Sequence, residues 1–408
     1  MIVRFGGTVA VAAVMLAGCS ASEQIESSAP SSTTTGALPA VSTSAVTTTS
    51  LAPALHLDPR ITPVAELDPQ EVCKIPDVTP DGRWPGRSGF PMSPDAGDPS
   101  RNLRVLVVPI AASDSPFTEA DRGRVERAVN GANEYFRLQS YGRVGLDVSW
   151  TDSIVEFPGT VIESGWIASS PRFDRSFTID QAIELMGDSD LDNFDVLAFF
   201  APADKRFDFG TAGTSGVQRE GLPRLRTLMG GMVISSWSIF AHEILHNWVG
   251  SEDLYSFVEP GTHYMGDWDI MANGRGNLEL NSWLRWIAGW IVDEQVRCLA
   301  SPRESTHFIE GLPIVSERPK MVVVKLNDNA VMVVDSRRTV KWGVDSWDSD
   351  APATLVYVVD TSFHHGRGPL RLRGTLEKPA DSVESDGVRV TLLESSPDGD
   401  LIRVEPSL

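Results

Sequence analysis

The chain has 408 residues, 41% of them hydrophobic, which is enough for one large or two ordinary domains with full cores. Its 35 Lys and Arg stand against 55 Asp and Glu, a formal net charge of −20, and no basic cluster overrides that balance. That balance argues against a nucleic-acid-binding surface, and no segment beyond the N-terminus is long and apolar enough to span a bilayer.

Residues 1–18 read as an export signal: Arg4 supplies the positive region and Val9 to Leu16 the short apolar run. The closing tetrad Leu16-Ala17-Gly18-Cys19 resembles the lipobox of bacterial lipoproteins. That resemblance implies lipid attachment at the Cys19 thiol and an extracytoplasmic protein anchored to a membrane. Cys73 and Cys298 remain, an even pair in a disulfide-permissive compartment, and a Cys73–Cys298 disulfide is the expectation. A second reading stays open, because Cys73-Lys74-Ile75-Pro76-Asp77 resembles the cysteine switch of some zinc-protease propeptides.

A tether is expected over 19–72. Its stretch from Glu26 to Ser50 is dominated by Ser, Thr, Ala and Pro and cannot bury enough apolar area to offset its ordering entropy. An irregular Pro/Gly-rich stretch follows, Pro76 to Pro99. Leu103 to Ile110 is a nearly continuous apolar run, as for a buried strand. From Thr118 to Leu138, with Thr118 as N-cap, Val125, Ala128, Val129, Ala132, Tyr135 and Phe136 recur at helical spacing. Val144 to Trp150 and Phe194 to Phe200 read as further strands, and Met232 to Ser235 lead into another helix. After about Ala300 the helical period is lost. Met321–Leu326, Val331–Arg337, Thr354–Asp360, Leu370–Arg373, Val388–Leu393 and Leu401–Val404 then read as strands between turns. The fold class expected is α+β: an α/β domain over 73–300, then a β-sandwich over 301–408.

His242-Glu243-Ile244-Leu245-His246 places two imidazoles at i and i+4, one turn apart on one helix face. Both can then reach a single Zn²⁺, with Glu243 beside them to act on a zinc-bound water. The rest of that helix is apolar: Ile239, Phe240, Ala241, Ile244, Leu245, Trp248 and Val249. A bare HExxH arises by chance often enough. Here Gly250, the acids Glu252 and Asp253, and a second signature accompany it. That signature, Met265-Gly266-Asp267-Trp268-Asp269-Ile270-Met271-Ala272-Asn273-Gly274, looks like the Met-turn of metzincin-type peptidases, in which Met271 would lie beneath the metal ligands.

Taken together these motifs resemble the M6 family of metallopeptidases, the immune inhibitor A type, over most of the chain beyond the tether. Tyr135 to Gly142 (YFRLQSYG), Asp253-Leu254-Tyr255, the Trp-Asp-x-Met loop and Ser282 to Trp290 (SWLRWIAGW) follow in that family's order. Val333 to Arg338 and Leu355 to Asp360 resemble its β-rich C-terminal region. The resemblance implies a zincin-like fold, zinc as cofactor, and hydrolysis of peptide bonds with Glu243 as general base. Protein or peptide substrates, no nucleic-acid partner and a monomer are expected with it.

The family pattern HExxHxxGxxD is not matched in register, because Gly250 and Asp253 each come one residue late. Asp-Leu-Tyr favours Asp253 as third ligand; counting from His246 favours Glu252; His263 and Asp267 are outside candidates. Oxyanion support falls to Tyr264 or Tyr255, since Asn273 stands where some metzincins carry a tyrosine. His364 and His365 read as surface residues, Trp283, Trp286 and Trp290 as core packing, and Asp345 to Asp350 as a solvated loop that can hold calcium. The alternative function is a surface binding module on a decayed peptidase scaffold, which the intact Glu243 disfavours.

Overall fold

The computed structural model describes residues 58–78, 87–94, 96–166, 175–187, 191, 193–206, 209–214, 225–274, 278–338, 352–363 and 366–407. The expected signal segment, Cys19, the Ser/Thr-rich stretch, Asp345 to Asp350 and His364-His365 lie outside them. Helices and sheets mix throughout, an α+β chain, and residues 57–408 form one compact unit.

Strand β1 (Leu103–Ala112) is the axis of the first sheet and pairs in parallel with β2 (Leu146–Trp150), β3 (Val155–Phe157) and β4 (Val196–Phe200). Beyond β4 lies β6 (Leu225–Gly230), again parallel, and beyond it the antiparallel edge strand β5 (Phe209–Thr214). Both faces of this sheet are covered, which is why β1 and β4 are apolar at nearly every position. Val105, Val107, Val196, Ala198 and Phe200 face one core with α1 (Glu119–Gln139) and α3 (Trp237–Trp248). Leu106, Val108, Leu197 and Phe199 face another with Ile179, Ala182 and Ile183 of α2 (Arg175–Met186). Helix α1 begins where the sequence places its cap: the Thr118 side chain accepts from Asp121 N–H, and the Asp121 carboxylate returns the bond to Thr118 N–H.

The second sheet runs β12 (Leu370–Leu376), β11 (Ala353–Asp360), β10 (Ala330–Arg337), β9 (Met321–Lys325), β7 (Val296–Leu299), and the third β13 (Ser382–Ser385), β14 (Val388–Ser396), β15 (Gly399–Pro406), β8 (Ser305–Glu310). In β9 to β11, Val323, Val331, Val333, Leu355 and Tyr357 join the core of α1 and α3, so apolar packing is continuous across residue 300. Their alternate neighbours Val322, Val324, Met332, Val334, Val356 and Val358 pack on Val388, Val390, Ile402 and Val404 of the third sheet. A sheet buried on both faces needs continuous apolar runs such as Val-Val-Val in β9.

From Asp58 onward the segment expected as tether is bonded to the β region. Thr62 N–H donates to Thr306 O, and Asp68 N–H to Cys298 O. Cys73 and Cys298 are joined by a disulfide, both fully buried. The Pro/Gly-rich stretch that follows gives its carbonyls to buried indoles: Ser88 O to Trp283, Asp98 O to Trp248 and Pro99 O to Trp290. Its N–H groups meet the end of α3, Gly97 donating to Asn247 O and Arg87 to Gly250 O. An irregular backbone is therefore what completes the hydrogen bonding of the aromatic core and caps the motif helix.

Candidate metal centre

Helix α3 starts at Ser236, whose hydroxyl accepts from Ile239 N–H, and packs against α1, β5 and β6. Its apolar residues Phe240, Ala241, Ile244, Leu245 and Trp248 are all fully buried, which fixes its rotation and presents His242 and His246 on one face. The helix ends at Trp248 with Val249 as C-cap, and Gly250 takes φ 70°, the left-handed conformation that lets the chain reverse. Ser251 N–H closes the turn on Leu245 O at 3.3 Å, and Ser251 O accepts from His246 Nδ1–H at 2.7 Å. The extra residue before Gly250 is thus absorbed in the helix exit, and the reversed chain returns Asp253 to the histidines.

Asp253 Oδ1 lies 3.0 Å from His242 Nε2 and 3.2 Å from His246 Nε2, and the two Nε2 atoms are 3.1 Å apart. Each imidazole spends its Nδ1–H on a backbone carbonyl, His242 on Ile270 O (2.9 Å) and His246 on Ser251 O (2.7 Å), so both turn Nε2 inward. Three donor atoms facing one another at this range require a cation among them, a proton or a metal ion. Tetrahedral ligands about 2.0–2.1 Å from Zn²⁺ stand roughly 3.3 Å apart, close to the triangle present here. The buried group His242, His246 and Asp253 can therefore bind a metal ion, and two imidazoles with one carboxylate suit zinc.

The electrostatics agree. Burial disfavours charge on His246, yet the Asp253 carboxylate overrides it and raises the imidazole pKa to about 9, with Glu243 adding to the effect. Burial would raise Asp253, but the two imidazoles hold its carboxyl far below the usual range. Glu243, 6% exposed, follows His242 on the same turn and its charge acts on His246.

The structure separates the remaining candidates. Glu252 is outside the donor triangle: it is buried, its Oε2 has no hydrogen-bond partner among the described residues, and burial with the Asp77 and Asp253 charges pushes its pKa to about 8. His263 and Asp267 face each other at the surface, 3.8 Å apart. Asn273 Nδ2–H donates to Asp267 Oδ1. Tyr255 lies beside the centre, its ring nearly parallel to the His242 imidazole with centroids 6.3 Å apart. Tyr264 packs instead against Gly368 and beneath the Arg371 guanidinium. Met271 is fully buried, and its carbonyl accepts from Leu254 N–H, tying the 265–274 loop to the residue after Asp253.

Three contributors escaped the sequence reading. Ile270 and Ser251 act through backbone carbonyls, so their side chains carry no signal. Gly274 approaches so closely that a Cβ there would stand 3.2 Å from His242 Cγ and Nδ1; its position in the Met-turn motif was the available clue. No protein-family model matches this sequence, and no curated protein does.

Proposed function

We propose that this chain is a zinc-dependent endopeptidase, similar to the M6 family, with a metzincin-like α/β catalytic domain and a C-terminal β-sandwich. The observation that carries the reading is the convergence of His242 Nε2, His246 Nε2 and Asp253 Oδ1, with Glu243 on the same buried helix. Among the described residues β5 is the edge strand of the first sheet and α3 packs against it, so an extended peptide pairing along β5 would lie next to the motif helix. Export through residues 1–18 and lipid attachment at Cys19 belong to the same proposal and place its substrates outside the cytoplasm.

His242, His246 and Asp253 would hold the zinc, which supplies a Lewis acid for the scissile carbonyl and brings the pKa of a water down to about 7. Glu243 takes the proton of the attacking water and hands it to the leaving amine. Tyr255, whose ring lies beside His242, would be the group to hydrogen-bond the developing oxyanion. Burial of His242, Glu243, His246 and Asp253 strengthens the interactions among them.

Metal analysis of the mature protein and chelator-sensitive cleavage of a generic protein substrate test this. Stoichiometric zinc and cleavage lost in Glu243→Ala are expected. A zinc-loaded, correctly folded protein that cuts no peptide would favour the binding-module alternative, and zinc-free protein would remove the metal centre altogether.

A further inference from the structure

The Met-turn carbonyl that receives His242 Nδ1–H is itself held by a fully buried carboxylate. Asp269 Oδ1 accepts from Met271 N–H (2.7 Å), and Oδ2 accepts from both the backbone N–H and the Nδ2–H of Asn281 (2.7 Å each). The Asp269 carbonyl accepts from Ala272 and Asn273, and Ile270 N–H donates to Glu279 O. These bonds hold the backbone on both sides of Ile270 and oppose a turn of its carbonyl away from His242.

The partner segment 279–282 is in turn clamped from the second sheet. Ser282 N–H donates to Asp335 Oδ2 (3.2 Å), and Tyr357 O–H is 2.9 Å from Ser282 Oγ and accepts from Trp283 N–H (3.2 Å). Arg337 bonds Asp335 through Nε and reaches Glu279 through Nη1. From the other side Gln139, last residue of α1, accepts from Leu280 N–H. Asp335, Arg337, Tyr357, Asn281 and Asp269 are all buried, a set of charged and polar groups whose desolvation is costly unless each keeps its partner.

We propose that Asp269 is a positioning residue for the metal centre, and that Asp335 and Tyr357 of the C-terminal sheet act on His242 through it. The chain of contacts runs from Tyr357 and Asp335 to Ser282 and Asn281, then to Asp269, Ile270 O and His242. It fixes the tautomer and ring orientation that turn His242 Nε2 toward Asp253. The C-terminal sheet is then part of the ligand scaffold, and metal affinity depends on residues more than eighty positions beyond Asp253. This rests on reading the group as a zinc site.

Three N–H groups converge on the Asp269 carboxylate, so Asp269→Asn must turn an amide donor toward at least one of them. The full mature chain, its Asp269→Asn and Tyr357→Phe variants, and Val390→Ala as a remote core control are compared for zinc affinity by chelator competition. The visible spectrum of each Co²⁺-loaded form and the melting temperature of each metal-free form are recorded as well. Asp269→Asn is expected to weaken zinc by about 10- to 100-fold and to alter the Co²⁺ bands. Tyr357→Phe, which keeps the ring in its core, is expected to weaken zinc several-fold even if Asp269→Asn does not fold, while Val390→Ala lowers the melting temperature with zinc affinity unchanged. Wild-type affinity in Tyr357→Phe together with an unaltered Co²⁺ spectrum would overturn the proposal. So would affinity that falls in Val390→Ala in proportion to melting temperature. Wild-type protein that binds no zinc would overturn the zinc reading itself, a distinct result.

Discussion

Asp253 Oδ1 lies 3.0 Å from His242 Nε2, although a helix exit and a reversal of the chain separate the two residues. The reversal at Gly250 makes that contact, and the same turn directs Glu252 away from the donor triangle. Asp253→Ala is therefore expected to cost zinc affinity more than the roughly 10- to 100-fold typical of disturbing an outer-shell partner. Glu252→Gln is expected to leave affinity within about twofold, because it disturbs no donor. Competition with a chromogenic chelator measures both, and the opposite ranking would transfer the third ligand to Glu252.

Gly274 tests how closely the loop over residues 265–274 supports His242. A methyl group in Gly274→Ala would press on His242 Cγ and Nδ1 from 3.2 Å, tighter than ordinary van der Waals contact. The ring can yield by lengthening its bond to Ile270 O or by leaving the donor triangle. Zinc affinity is expected to fall about tenfold, with a parallel loss in kcat/KM. Unchanged affinity would show that the ring has room to move.

How much of this was legible in the sequence follows from where the information resides. The motif helix could be read because His242, His246 and the apolar residues around them obey one period, and β1, β4 and β9 to β11 because strands buried on both faces are apolar runs. Strand β5 could not: Phe209-Gly-Thr-Ala-Gly-Thr holds its place by pairing with β6, and β6 carries the buried Arg226 in its interior. Helix α2 lies outside the elements expected from the sequence, although Ile179, Ala182, Ile183 and Met186 recur at helical spacing. Sequence leaves the third donor open between Asp253 and Glu252 because spacing counts residues along the chain, whereas the φ of Gly250 decides which side chain returns. Acceptors such as Ile270 O belong to the backbone and leave no trace in residue type.

The disulfide separates two readings of Cys73. Cys73 and Cys298 close a loop of 225 residues and tie the N-terminal segment to β7. Replacing both with Ser is expected to lower stability by about 2–5 kcal/mol while activity at low temperature stays near wild type. A thiolate switch predicts the reverse, higher activity in Cys73→Ser alone. Denaturant unfolding and initial rates of cleavage on the same preparations decide between them.

Stability toward acid should carry the signature of His307. This residue of β8 is buried, its Nε2 is 2.9 Å from Ser305 Oγ, and burial followed by the Arg297 and Arg303 charges lowers its pKa to about 3 from 6.5. Between those two values the unfolded chain binds a proton that the folded chain refuses. The neutral imidazole's contribution is therefore complete above pH 6.5 and is lost as pH falls toward 3, at about 1.4 kcal/mol per unit. His307→Gln keeps a donor for Ser305 Oγ and does not titrate. From pH 6.5 to 4 its unfolding free energy is expected to fall by about 3 kcal/mol less than that of the wild type, read from denaturant titrations at each pH. Parallel acid limbs in the two proteins would show that His307 takes up its proton without leaving the fold.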